Sequence, residues 1–124
     1  MPTRFVILLH CLGDGEHWDL MIERGDLLAT WQLARNPLTP GAWPIPARRI
    51  GDHRTAYLQY EGPLTRNRGS VTRIESGTAK LTEQGSFRYT LQFTGAALSG
   101  DFTLTRIAHD EWTFDRQQHS PPNA

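Results

Sequence analysis

Residues 17–23 alternate without a break. His17, Asp19, Met21 and Glu23 fall on one face of an extended chain, and Trp18, Leu20 and Ile22 fall on the other. Period two over this stretch predicts a half-buried strand. Just upstream, Phe5, Val6, Ile7, Leu8 and Leu9 form an apolar run that ends in His10. Its near-continuous apolarity predicts a central strand over residues 4–10. Two strands joined by the glycine-bearing loop between them would bring His10 close to His17 and Asp19.

The rest of the chain keeps to short extended segments. Gly25-Asp26 is a tight-turn dipeptide, so residues 24 and 27 join a hairpin whose second strand is Leu27–Leu33. Residues 34–46 carry four prolines and one glycine, which predicts a loop crossing the fold, with Trp43 packed as a lid. A short strand at 47–50 is expected to deliver Asp52 and His53. Residues 53–60 have no clean period and read as one helical turn or an irregular segment that sets His53 and Tyr57 on one side. Further strands are expected at 71–75, closed by Ser76-Gly77, and at 79–83, closed by Gln84-Gly85. Phe87, Tyr89, Leu91 and Phe93 alternate with Arg88, Thr90 and Gln92, and strands around Phe102–Leu104 and Trp112–Phe114 complete the set. No long helical period and no internal repeat interrupt this pattern. About eight short strands with frequent glycine turns predict an all-β fold with little helix, a compact antiparallel barrel whose closure removes exposed edges. The core is expected to hold Val6 and Leu8, or Ile7 and Leu9, with Trp31, Leu91, Phe93, Phe102 and Leu104. A single domain over 1–116 would be followed by a disordered polar tail at 117–124.

Length and charge narrow the function classes. At 124 residues and zero formal charge, the chain is one modest domain without a whole-molecule field towards nucleic acid or membrane. The charge is unevenly spread. Residues 14–26 hold five acids and one arginine, a net of −4, whereas residues 48–73 hold six arginines against Asp52 and Glu61, a net of +4. An acidic patch suits a cation and a basic one suits phosphate, although each also reads as a solvated face. Cys11 is the only cysteine, so no intrachain disulfide forms. On a strand it points away from His10 and is expected as a small buried hydrophobe. With no leader pattern and no apolar run of membrane length, the expected compartment is the cytoplasm and no membrane partner is expected.

Two imidazoles and one carboxylate make a mixed nitrogen/oxygen donor set suited to Mn²⁺, Fe²⁺ or Zn²⁺ with coordination positions left open. The same residues also suit the wet face of a hairpin.

An ordered set of motifs extends this reading. His10 is followed by His17-Trp18-Asp19, then Glu23, then Thr30-Trp31. After the proline-rich loop come Gly51-Asp52-His53, Tyr57, Tyr60-Glu61-Gly62, and Gly69-Ser70-Val71 through Glu75-Ser76-Gly77. The stretch from Gly95 to Arg106 and the closing Trp112 complete the order. The chain resembles, over nearly its whole length, the 3′-phosphoesterase domain of bacterial DNA ligase D, which also occurs as free-standing small proteins.

The resemblance implies a β-barrel with its site in a polar crevice on one face. It implies a Mn²⁺-dependent enzyme (Zn²⁺ or another divalent transition metal being alternatives) that trims 3′ ends of nucleic acid. Such an enzyme removes a terminal ribonucleoside to leave a 3′-phosphate, which it then can also remove. DNA or RNA–DNA primer ends, and DNA-repair proteins, would be the partners. By the same resemblance His10, His17 and Asp19 would bind the metal, His53 would contact the scissile phosphate as general acid or phosphate ligand, and Tyr57 would support it.

Two positions depart from the family pattern. Met21 and Ile45 stand where it has phosphate-binding arginines. The loop between His10 and His17 is one residue longer, and the loop after Gly62 is shorter and carries Arg66 and Arg68. Arg48, Arg49, Arg54, Arg66 and Arg68 are the candidate replacements, led by Arg49 on the segment that positions Asp52 and His53. The alternative is a catalytically impaired relative that binds nucleic-acid ends or a repair partner.

Overall fold

A computed structural model describes residues 2–117 of the chain. Most of the tail expected at 117–124 lies outside the described residues. The elements are β1 (Thr3–Leu12), β2 (Gly15–Arg24), β3 (Leu27–Leu33), β4 (Ile45–Arg54), the two-residue β5 (Gly62–Pro63), β6 (Ser70–Gln84), β7 (Arg88–Gly95), β8 (Ser99–Ala108) and β9 (Glu111–Arg116). A single 3₁₀ turn, Thr55–Leu58, is the only helical element among the described residues. The strands run in the order β1-β2-β3-β4-β9-β8-β7-β6, and β6 pairs again with β1. Every pairing is antiparallel, so eight strands close into an antiparallel barrel, and β5 adds to the start of β6. Among the described residues, no helix is long and apolar enough to cross a membrane.

Alternation along each strand fills the barrel. Phe5, Ile7, Leu20, Ile22, Trp31, Leu33, Ile45, Leu91, Phe93, Phe102, Leu104 and Phe114 belong to one buried cluster. Trp43, from the proline-rich loop, packs its ring against Phe102 and Phe114, with centroids 5.3 and 5.0 Å away. Both faces of β1 are buried, not one. Val6 and Leu8 point outward and join Met21, Leu28, Leu58 and Val71 in a second cluster, covered by Tyr57 and Leu64. The 3₁₀ turn and the loop after β5 therefore sit on the outer face of β1 and β2, beside the predicted ligands.

Two expected boundaries and the burial of one residue differ, each for a local reason. The strands expected at 71–75 and 79–83 are one strand, β6. Ser76-Gly77 does not turn the chain; β6 begins pairing with β7 at Gly77 while it stays paired with β1 as far as Ala79. A Cβ on Gly77 would lie 2.2 Å from the Thr94 carbonyl oxygen, so glycine here permits close strand approach. β4 extends from Ile45 to Arg54 and takes in Pro46, whose carbonyl still accepts the Ala34 N–H at 2.9 Å. Cys11, expected as a buried hydrophobe, is half-buried: it has the inward parity of Phe5 and Ile7 but lies near the end of β1, beyond the interior cluster.

One buried carboxylate holds the barrel wall together. Glu75, 3% exposed, accepts the backbone N–H groups of Ser76, Ala96, Ala97 and Leu98. Three of these donors, Ala96, Ala97 and Leu98, lie in the loop between β7 and β8, whose N–H groups the carboxylate satisfies. The motif residues Glu75 and Gly95 thus form a structural clasp, with the carboxylate 2.9 Å from where a Cβ on Gly95 would sit.

Candidate metal centre

The β1–β2 register sets His10 opposite His17 and Leu8 opposite Asp19, so both imidazoles and the carboxylate share the outer face. One potential ligand atom from each of His10, His17 and Asp19 lies within 4.8 Å of the others. His10 Nδ1 is 3.1 Å from His17 Nε2 and 3.7 Å from Asp19 Oδ2. His17 Nε2 is 3.2 Å from Asp19 Oδ1.

The orientation of His10 is fixed from outside the cluster. Its Nε2 lies 2.6 Å from the main-chain carbonyl of Arg68, which only accepts, so Nε2 carries the proton and Nδ1 presents a lone pair inward. A carbonyl behind a ligating histidine is the usual outer support of a metal site. Gly69 makes that contact possible. Its φ is +85°, and a Cβ there would fall 1.8 Å from the Cys11 carbonyl oxygen.

Electrostatics fit a cation. Asp19 is 3% exposed, and its Oδ1 has no hydrogen-bond partner among the described residues. Burial pushes its carboxyl up to about 7, against the lowering influence of His10. Desolvation, then repulsion from His10, holds His17 below the ordinary histidine value and so favours its neutral, ligating form. A buried carboxylate without a donor, beside two converging ring nitrogens, is a donor set that a divalent cation would satisfy.

His53 and Tyr57 lie next to this cluster. His53 Nδ1 donates to the Gly51 carbonyl at 2.9 Å, which leaves Nε2 as the free lone pair. Desolvation holds His53 below its ordinary value, opposed by the Gly51 hydrogen bond and by Asp52; His10 and Arg68 lower it further. The Tyr57 ring stands edge-on to His53, with centroids 5.6 Å apart.

The arginines divide. Arg54 and Arg68 line a cavity of about 240 Å³ with Tyr57 and Tyr60. Arg48 borders a second cavity with His17 and Gln32 and is ion-paired to Asp110 at 2.9 Å. Arg66 is exposed in a left-handed conformation, with φ 60°. Arg49, expected to lead, is turned to the other side of the sheet. Its register partner is Trp31, an interior residue, and its guanidinium carbon lies 4.6 Å from the Trp31 ring centroid. It donates to the Thr30 and Ile50 carbonyls and to Asp52. Strand parity, which puts Arg48 and Arg49 on opposite faces, is the reason.

Met21 and Ile45 are 1% and 0% exposed. Met21 packs in the outer apolar cluster and Ile45 in the barrel interior.

Two contributors were not anticipated. Gln32, opposite Asp19 in register, brings its amide nitrogen 3.4 Å from His17 Nε2. Its signal was available, since Thr30 and Gln32 alternate with Ala29, Trp31 and Leu33 along β3. The Arg68 carbonyl carries no side-chain signal at all.

A comparison with protein-family models and a search of curated proteins return no match to this chain.

Proposed function

We propose that the chain is a metal-dependent phosphoesterase of the ligase D 3′-end-processing kind, acting on a 3′-terminal ribonucleoside or 3′-phosphate of nucleic acid. The observation that carries this reading is the convergence of His10 Nδ1, His17 Nε2 and Asp19 around one point, with His10 pre-oriented by the Arg68 carbonyl. His10, His17 and Asp19 would hold the ion. A divalent cation there supplies Lewis-acid polarisation of a phosphoryl oxygen and lowers the pKa of a bound water.

The remaining steps belong to the protein. His53 is fixed by Gly51 so that Nε2 is free. An arriving phosphate anion offsets the repulsion from His10 and Arg68, raises the His53 pKa, and makes the ring a proton donor to the leaving oxygen. Tyr57 holds the ring edge-on. Arg54 and Arg68 offer the positive charge that balances the phosphate.

A second reading is favoured by Met21 and Ile45, both buried among apolar side chains. It is a non-catalytic relative that binds nucleic-acid ends or a repair partner through the same face. Assaying phosphate release and end binding side by side, with Mn²⁺, separates the two. Release assigns the enzyme, and binding without release assigns the relative.

A further inference from the structure

The cavity of about 240 Å³ beside the metal centre has its own chemistry. One contact joins it to the ligand cluster and a second joins it to His53. Arg68 lines it and also holds His10 through its carbonyl, and Tyr57 lines it while touching the His53 ring. The rings of His53, Tyr57 and Tyr60 form a continuous edge-to-face series, with Tyr57 and Tyr60 centroids 6.2 Å apart at 86°.

Two of the flat groups in its walls, Tyr60 and Arg68, are held in place. The Tyr60 hydroxyl donates to the Pro63 carbonyl, which fixes a ring that is still 39% exposed. The Arg68 guanidinium donates to the carbonyl and to Oγ1 of Thr65, each at 3.0 Å. Arg54 also lines the cavity, and its side chain has no ion-pair or hydrogen-bond partner among the described residues. Rigid aromatic faces and planar cations beside a phosphate site match one kind of group, a flat, electron-rich ring attached to that phosphate through a sugar.

We propose that this cavity receives the base of the terminal nucleotide whose 3′-phosphate lies at the metal centre, a proposal that rests on the phosphoesterase reading for the phosphate itself. Tyr60 is the stacking face, and Arg54 and Arg68 flank the ring. To enter, the base must leave the helical stack, so the protein takes a terminal nucleotide that is frayed or single-stranded.

The test uses the full chain with Mn²⁺ and two fluorescent single-stranded oligonucleotides. One ends in adenosine 3′-phosphate and the other in an abasic 3′-phosphate. Anisotropy should show the base-bearing end binding about tenfold more tightly. Tyr60→Ala should erase that preference and Tyr60→Phe should keep it. Ala56→Trp, which fills the cavity from an exposed position, should also erase it while the Mn²⁺-induced thermal shift persists. Equal binding of the two ends by the wild-type chain, no binding of either, or an undiminished preference in Tyr60→Ala or Ala56→Trp would overturn the proposal. The readout needs no turnover. A base preference without phosphate release supports the cavity and removes hydrolysis, whereas equal binding with release supports hydrolysis and removes the cavity.

Discussion

The Nε2 of His10 and the main-chain carbonyl of Arg68 are 2.6 Å apart, and this one hydrogen bond decides which nitrogen of the ring faces Asp19. Since Gly69 alone permits the loop to approach β1, the candidate metal centre depends on a glycine that contributes no ligand.

Gly69→Ala should therefore do two things. The left-handed backbone and the 1.8 Å approach of a Cβ to the Cys11 carbonyl oxygen should destabilise the fold by at least about 2 kcal/mol, read by urea denaturation. Metal affinity, measured at a temperature where the variant is still folded, should fall as well, because His10 loses its support. Unchanged affinity would detach the loop from the site.

Met21→Arg restores the arginine that the family resemblance implies, but it puts a guanidinium where a side chain is 1% exposed among Val6, Leu8, Leu28, Leu58 and Val71. It should cost about 3 kcal/mol or more and raise no activity. A stable, more active variant would mean that the outer cluster opens easily.

The metal should bind more tightly as pH rises. Burial pushes the Asp19 carboxyl up to about 7, so below that pH the cation must displace a proton. Apparent affinity for Mn²⁺ or Zn²⁺ should climb from about pH 5 to about pH 7, by about tenfold per pH unit for this one proton, then level off. Without metal the sign reverses. The folded pKa lies above the unfolded one, so this group's contribution to stability falls as pH rises from about 4 to about 7. The stability difference between wild type and Asp19→Asn should decline across that window. Calorimetric titration and urea melts at several pH values check both trends.

Glu75 should prove structural. Replacing it by alanine strands the N–H groups of Ser76, Ala96, Ala97 and Leu98 and should cost about 3 kcal/mol. Glu75→Gln should be nearly as harmful, since the amide turns donors towards donors. Denaturation curves with unchanged midpoints would refute the clasp.

Legibility in the sequence followed side-chain alternation. The barrel class, the strand from His17, and the meeting of His10, His17 and Asp19 could all be read, because period two and one short loop determine them. Arg49 could not be placed, because a short strand at 47–50 does not reveal which parity faces the interior; pairing with Trp31 decides it, and the register shifts only beyond Thr30, towards His53. Ser76-Gly77 reads as a turn by composition, although Gly77 is demanded by the Thr94 carbonyl. The Arg68 carbonyl was invisible, since every residue has one.

The proposed phosphate-ester hydrolysis depends on a cation held by His10, His17 and Asp19. Its most direct test is phosphate release from a 3′-phosphorylated primer, with and without Mn²⁺, by the wild-type chain and by His17→Ala. Release should require Mn²⁺ and fall by at least about a hundredfold in the variant, whose fold is retained. Metal-independent release, equal release by His17→Ala, or no release from a chain that binds Mn²⁺ would contradict it.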